Sequence, residues 1–191
     1  MRGHIRAARM NWGGSISAWG GMLSKRALQL TLFIVSLAAP AMAAAQGTKL
    51  VSKFNDWTYY AHESPQAKVC FAIAAPKSSE PAGAKRDSIY FYISAWPKDG
   101  VRSEVSIKLG YPLKKGADAT ITVGSTAFKL FTRDERAYLS EAGDETKLID
   151  ALKKASSMTV QGISERGTVT KDTYSLTGLP QALQTLASSC N

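Results

Sequence analysis

Chemistry in this chain would have to come from a short inventory of side chains. The histidines are His4 and His62, and the cysteines are Cys70 and Cys190. A serine or cysteine hydrolase needs a nucleophile, a general base and an orienting acid held in contact. His62 is the one imidazole outside the N-terminal basic stretch. Glu63 beside it cannot face it on a strand, because successive strand side chains point to opposite faces. Neither Gly-x-Ser-x-Gly nor Ser-x-x-Lys occurs, and no glycine-rich phosphate loop is present. The paired acids Asp134-Glu135 and Asp144-Glu145 fall at a turn and a helix start. Caps and the helix dipole account for acids at such places. One histidine and two distant cysteines make no metal-ligating set. We expect no catalytic residues, no metal and no cofactor.

Binding chemistry has more to draw on. Tyr90, Tyr92 and Trp96 precede Arg102 and Glu104, so one face of a hairpin would carry two tyrosines, a tryptophan and an Arg/Glu set. Binding faces favour amphipathic side chains of this kind. The competing reading is that a helix covers the face and completes a second small core. A polar loop at 76–86 offers Lys77, Lys85 and Arg86 to anionic partners such as lipopolysaccharide, with Glu80 and Asp87 diluting its charge.

Where the chain works follows from its N-terminus. Lys25 and Arg26 precede an uncharged run at 27–47 with an apolar centre at 28–37. The run closes in Ala41-Met42-Ala43-Ala44-Ala45-Gln46. A basic region, a short apolar centre and a small-residue exit make a secretory signal peptide. Cleavage after Ala45 leaves 1–45 as leader and 46–191 as a single mature domain, with Met10 or Met22 as alternative starts. An uncleaved anchor is the rival, since the run is long enough to span a bilayer. Pro40, Gln29 and the alanine-rich tail argue against it. We therefore expect no transmembrane segment after cleavage, and a periplasmic, outer-membrane-associated or secreted location.

Export changes the meaning of charge and cysteine. The formal balance is 24 basic against 15 acidic residues, or +9. Arg2, Arg6, Arg9, Lys25 and Arg26 belong to the leader, so the mature balance falls to +4. Such a balance gives no basis for a nucleic-acid partner. In an oxidising compartment an even cysteine pair reads as a disulfide. Joining Cys70 to Cys190 would close a loop of about 120 residues, worth up to roughly 4–5 kcal/mol by chain entropy. Two unpaired thiols are the alternative.

The elements that must hold these residues read mainly as strands. Ile89, Phe91, Ile93 and Ala95 alternate with Tyr90, Tyr92, Ser94 and Trp96. Val101, Val105, Ile107 and Leu109 alternate with Arg102, Glu104 and Lys108, a half-buried pattern of period two. Pro97-Lys98-Asp99-Gly100 supplies the turn between them. Matching the two apolar faces sets Ala95 opposite Val101, Phe91 opposite Val105 and Tyr92 opposite Glu104. Further strands read at 57–60, 69–74, 120–123, 127–132, 137–140, 158–162 and 168–176, with Gly124-Ser125 as a two-residue hairpin turn. Helices read at 144–155, capped by Asp144, and at 178–189, with Pro180 in its first turn and Leu183, Leu186 and Ala187 inward. Eight or nine short strands with two helices argue a mainly β fold, a β-sandwich.

A family resemblance covers nearly the whole mature chain. Its residues are Asn55-Asp56-Trp57, Lys68-Val69-Cys70, the loop through Glu80-Pro81, Ile89-Tyr90-Phe91 and Val101-Arg102-Ser103-Glu104-Val105-Ser106. It continues through Gly110-Tyr111-Pro112, Phe128-Lys129-Leu130-Phe131 and the run from Gly167 to Leu176, and ends at Cys190. These stretches are similar to the invasion-associated locus B proteins. The resemblance implies a secreted envelope protein of Gram-negative bacteria with an immunoglobulin-like β-sandwich. It brings no catalytic motif, and it links some members to invasion of host cells. The expectation is a non-enzymatic binding protein whose partner is an envelope protein or glycan, or a host-cell surface. The alternative is an envelope hydrolase acting on a cell-wall or surface polymer through His62 or carboxylates such as Glu104.

Overall fold

A computed structural model describes residues 47–190. The expected leader, its cleavage site and the alternative starts lie outside the described residues. Eleven strands are formed: β1 Gly47–Phe54, β2 Trp57–Glu63, β3 Lys68–Ala74, β4 Ser78–Glu80, β5 Tyr90–Trp96, β6 Val101–Lys108, β7 Ala119–Val123, β8 Thr126–Arg133, β9 Arg136–Tyr138, β10 Ser157–Ile163 and β11 Val169–Ser175. The helices are α1, Ala142–Lys154, and α2, Leu179–Ser189.

The strands run β1-β2-β3-β5-β6-β9-β8-β7-β10-β11-β4 across one open antiparallel sheet. That sheet folds over at β8, which pairs with β7 through its first half and with β9 through its last residues, so that β1, β2, β3, β5, β6 and β9 make a first layer and β7, β10, β11 and β4 a second. Two connections are of Greek-key type, as sandwiches commonly use. The three-strand meander β7-β8-β9 is returned to β6 at one side and, after α1, to β10 at the other. Phe91 of the first layer meets Trp57 edge-on at 5.9 Å and also Tyr174 of the second layer at 5.9 Å. Ile93, Ile107, Ile121, Leu130 and Val160 are fully buried around them, each worth about 1.5–3 kcal/mol over an exposed side chain.

Most expected elements are present, and the departures have physical causes. Two strands were not legible. β1 is an edge strand whose middle is exposed and lacks a two-residue alternation. β4 is a three-residue segment inside the supposed long loop, paired to the outer edge of β11. Gly124-Ser125 does connect β7 to β8, with Val123 opposite Thr126 and a φ of +58° at Gly124.

The β5–β6 register is displaced by two residues from the expected one. Phe91 faces Ile107, Tyr92 faces Ser106, and Ser94 faces Glu104. A 3-10 turn at Pro97–Asp99 ends in left-handed Gly100, and a bulge sets Arg102 and Ser103 against the single residue Ala95. Together these take up the extra length of β6, and an even shift keeps the apolar side chains inward.

Helix α1 starts earlier than expected, with Glu141 at its N-cap and Asp144 in the first turn rather than capping. On α2, Leu179, Ala182 and Leu186 are buried, Leu183 is half-buried, and Ala187 is exposed rather than inward. Gly178 starts α2 with a φ of +93°, and a Cβ there would run into the Phe54 carbonyl at the end of β1. No helix among the described residues is long and apolar enough to cross a membrane.

Candidate binding surface

The inner side of the first layer carries Trp57, Tyr59, Cys70, Ala72, Phe91 and Ile93, all buried. Strand alternation therefore sends Tyr60, Phe71, Tyr90 and Tyr92 to the outer side. There they meet ring to ring. Tyr60 stacks on Phe71 at 5.4 Å, Phe71 lies 6.3 Å from Tyr92, and Tyr92 meets Tyr90 edge-on at 6.1 Å. The Arg136 guanidinium stands 5.0 Å from the Tyr92 ring centre. On the far side Tyr138 stacks on Phe131 at 5.5 Å. The four rings from Tyr60 to Tyr90 are half-exposed. Helix α2 does not cover them, since it packs on the inner side and is tied there through Cys190 to Cys70.

The residues singled out in the sequence divide into three groups. Tyr90, Tyr92 and Glu104 share the outer face, with Tyr90 opposite Lys108, and Glu104 opposite Ser94 instead of Tyr92. Arg102 is parted from them. It is exposed in the bulge and lines a groove of about 480 Å³ with Pro97, Val101, Leu186 and Cys190. Trp96 is half-buried, and its indole N–H finds no acceptor among the described residues.

The basic loop does not present three cations. The Arg86 side chain is buried, 5% exposed, and binds Asp172 through both guanidinium ends at 2.8 and 2.7 Å. It also donates to the Leu109 carbonyl and lies 4.9 Å from the Tyr111 ring centre. A side chain so engaged is unavailable to an external anion. Lys77 pairs with Asp56 at 3.0 Å, where hydrogen bonds from Ser175 and Lys77 hold the Asp56 carboxyl below the usual range. Only Lys85 stays exposed without a described partner.

The groups a hydrolase would need are not brought together. His62 lies on the outer side of β2 with the Thr48 hydroxyl 3.4 Å from Nδ1. Glu104 is on β6, with β3 and β5 between, so roughly 14 Å of strand spacing separates the two. The carboxylate of Glu145 on α1 accepts the Val105 N–H at 2.9 Å. Burial raises its pKa, that hydrogen bond lowers it, and the Glu104 charge raises it further. Among the described residues no group of three or more His, Cys, Asp or Glu side chains could hold a metal ion. Cys70 and Cys190 form a disulfide with a Cα–Cα distance of 6.0 Å.

Sequence reasoning missed Tyr60, Phe71, Phe131, Arg136 and Tyr138 on the outer face. Alternation in β2 and β3 could have found the first two. The others depend on β9 returning to β6, which no local pattern announces.

The profile of the invasion associated locus B (IalB) family matches residues 57–187. The crystal structure of invasion associated protein B from Bartonella henselae superposes with a TM-score of 0.55 at 14% sequence identity. That match covers 74% of this chain and 97% of the Bartonella chain, so the two share a fold. No curated protein matches the sequence. With the family profile spanning everything from the first core tryptophan to the last helix, the chain belongs to the invasion associated locus B family.

Proposed function

We propose that this chain is a non-enzymatic binding protein of the bacterial envelope, exported by its leader, that engages an envelope constituent through the outer face of its first layer. The observation that carries the reading is the half-exposed row Tyr60, Phe71, Tyr92 and Tyr90 with Arg136 stacked upon it. Tyrosine and arginine are the side chains that dominate binding energy at protein surfaces. Family membership supports an envelope setting, and the separation of His62 from Glu104 favours binding over hydrolysis.

The test is photo-crosslinking in living cells from positions 92 and 138, with position 171 on the second layer as comparison. Adducts specific to positions 92 and 138 are expected. Equal labelling at position 171, or none above background at all three, sinks the assignment of this face.

A further inference from the structure

The outer face changes character at β8 and β9. Leu130 points into the core, so Lys129, Phe131 and Arg133 share the outward side of β8. Pairing sets Phe131 opposite Tyr138 and Arg133 opposite Arg136, and Lys108 of β6 follows Arg136 in the same row. Lys108 is engaged by Glu135 at 3.5 Å, and Lys129 lies 4.0 Å from Asp118. Arg133 is exposed, and no acid among the described residues pairs with it or with Arg136. At the opposite margin Leu50 of β1 faces Tyr60. A band rich in aromatic and apolar side chains thus runs from Leu50, Tyr60, Phe71 and Tyr92 to Tyr138 and Phe131 across seven strands, roughly 29 Å, broken at β6 by Ser106 and Glu104, and a cationic row of Arg133, Arg136 and Lys108 borders it.

We infer that this face docks on an anionic lipid surface, its apolar band at the headgroup–acyl boundary and Arg133 and Arg136 on lipid phosphates. The inference rests on the proposed contact face and names its partner. Leu50 and Phe131 are 60% and 44% exposed. These large apolar side chains at both margins gain from an acyl boundary and little from a hydrated polysaccharide. Tyrosines suit a plane that is apolar on one side and wet on the other. The guanidinium fork matches phosphate oxygens. Attachment of this kind is peripheral and needs no membrane-crossing helix.

The test expresses the full chain with its leader, purifies the secreted form, and measures sedimentation with vesicles. Vesicles of equal parts phosphatidylcholine and phosphatidylglycerol are compared with phosphatidylcholine alone. Binding only to the anionic vesicles is expected, falling as salt is raised. Arg133→Glu with Arg136→Glu should weaken it about tenfold or more, and Leu50→Ser with Phe131→Ser should weaken it comparably. Arg166→Glu with Lys171→Glu, the matched charge change on the second layer, should leave it unchanged. Unfolding midpoints keep a folding defect distinct from lost binding. Equal binding to neutral vesicles, binding undiminished by the face variants, or no binding overturns the inference. If vesicles fail while positions 92 and 138 still capture a protein or glycan, the lipid assignment falls and the contact face stands. If both fail, both fall.

Discussion

A guanidinium with 5% of its side chain exposed has to find its counter-charge inside the protein, and Arg86 finds it in the fully buried Asp172. The pair stitches the segment after β4 to β11, and the Leu109 carbonyl takes two further guanidinium hydrogens. Desolvating both charges costs much of what their attraction returns, so the pair is worth less than its geometry suggests. Breaking it is another matter, because the survivor remains buried and uncompensated. We expect Asp172→Ala to lower the unfolding free energy in urea by about 3–5 kcal/mol. Arg86→Met with Asp172→Leu should recover most of that loss. A double variant as unstable as the single one would mean that packing, not charge, holds the site. Arg86 was misread from its neighbour Lys85, since nothing local ties residue 86 to 172. A signal existed nonetheless: Thr170, Asp172 and Tyr174 fall on the inward positions of one strand, and an acid at a core position demands a partner.

Along β6, strand β9 covers only Ser106–Lys108, so the edge of β6 continues past it without a neighbouring strand. Helix α1 supplies what is missing there, with Glu145 accepting the Val105 N–H. The cost is a half-buried carboxylate near Glu104, whose pKa burial raises above its ordinary 4.5. An acid with a raised folded pKa binds more protons folded than unfolded, so stability falls as pH climbs through that window. Glu145→Gln keeps an acceptor and removes the charge. It should raise the unfolding free energy at neutral pH, by less than about 1 kcal/mol because the site is partly solvated. The advantage should vanish once pH drops below the ordinary carboxylate range. A variant less stable than the parent at both pH values would show the charge itself to be needed for the Val105 contact. Elements of this kind were legible where period two or the 3.6-residue helical pattern is clean, as in β5, β6, β10 and both helices. They were not where burial is one-sided or absent, as in β1, or where a bulge alters the register, as at Arg102.

At the scale of the molecule, the sandwich has one side that strands alone do not close. Helix α2 lies on the inner face of β1, β2 and β3, burying Leu179, Ala182 and Leu186, and the Cys70–Cys190 disulfide fixes its end. The cysteine pair was legible from its even number, Cys70 and Cys190 being the two cysteines of the chain. The layer it closes was not, because that depends on where the sheet folds over. A cross-link between β3 and the residue after the last helix spans 120 positions, so it constrains the unfolded chain strongly and the folded one chiefly at α2. Cys70→Ser with Cys190→Ser should cost about 2–5 kcal/mol in urea unfolding, the usual range when a small domain loses a native disulfide. The loss should not be uniform. Amide exchange at Ala182 and Leu186 should accelerate well ahead of exchange at Ile93 and Ile107, which sit in paired strands of the central core. If all four amides exchange faster by the same factor, α2 unfolds only with the whole domain and its apolar face alone holds it to the sheet. If the helix amides lead, the disulfide is the clasp that holds α2 against the inner face of β1, β2 and β3.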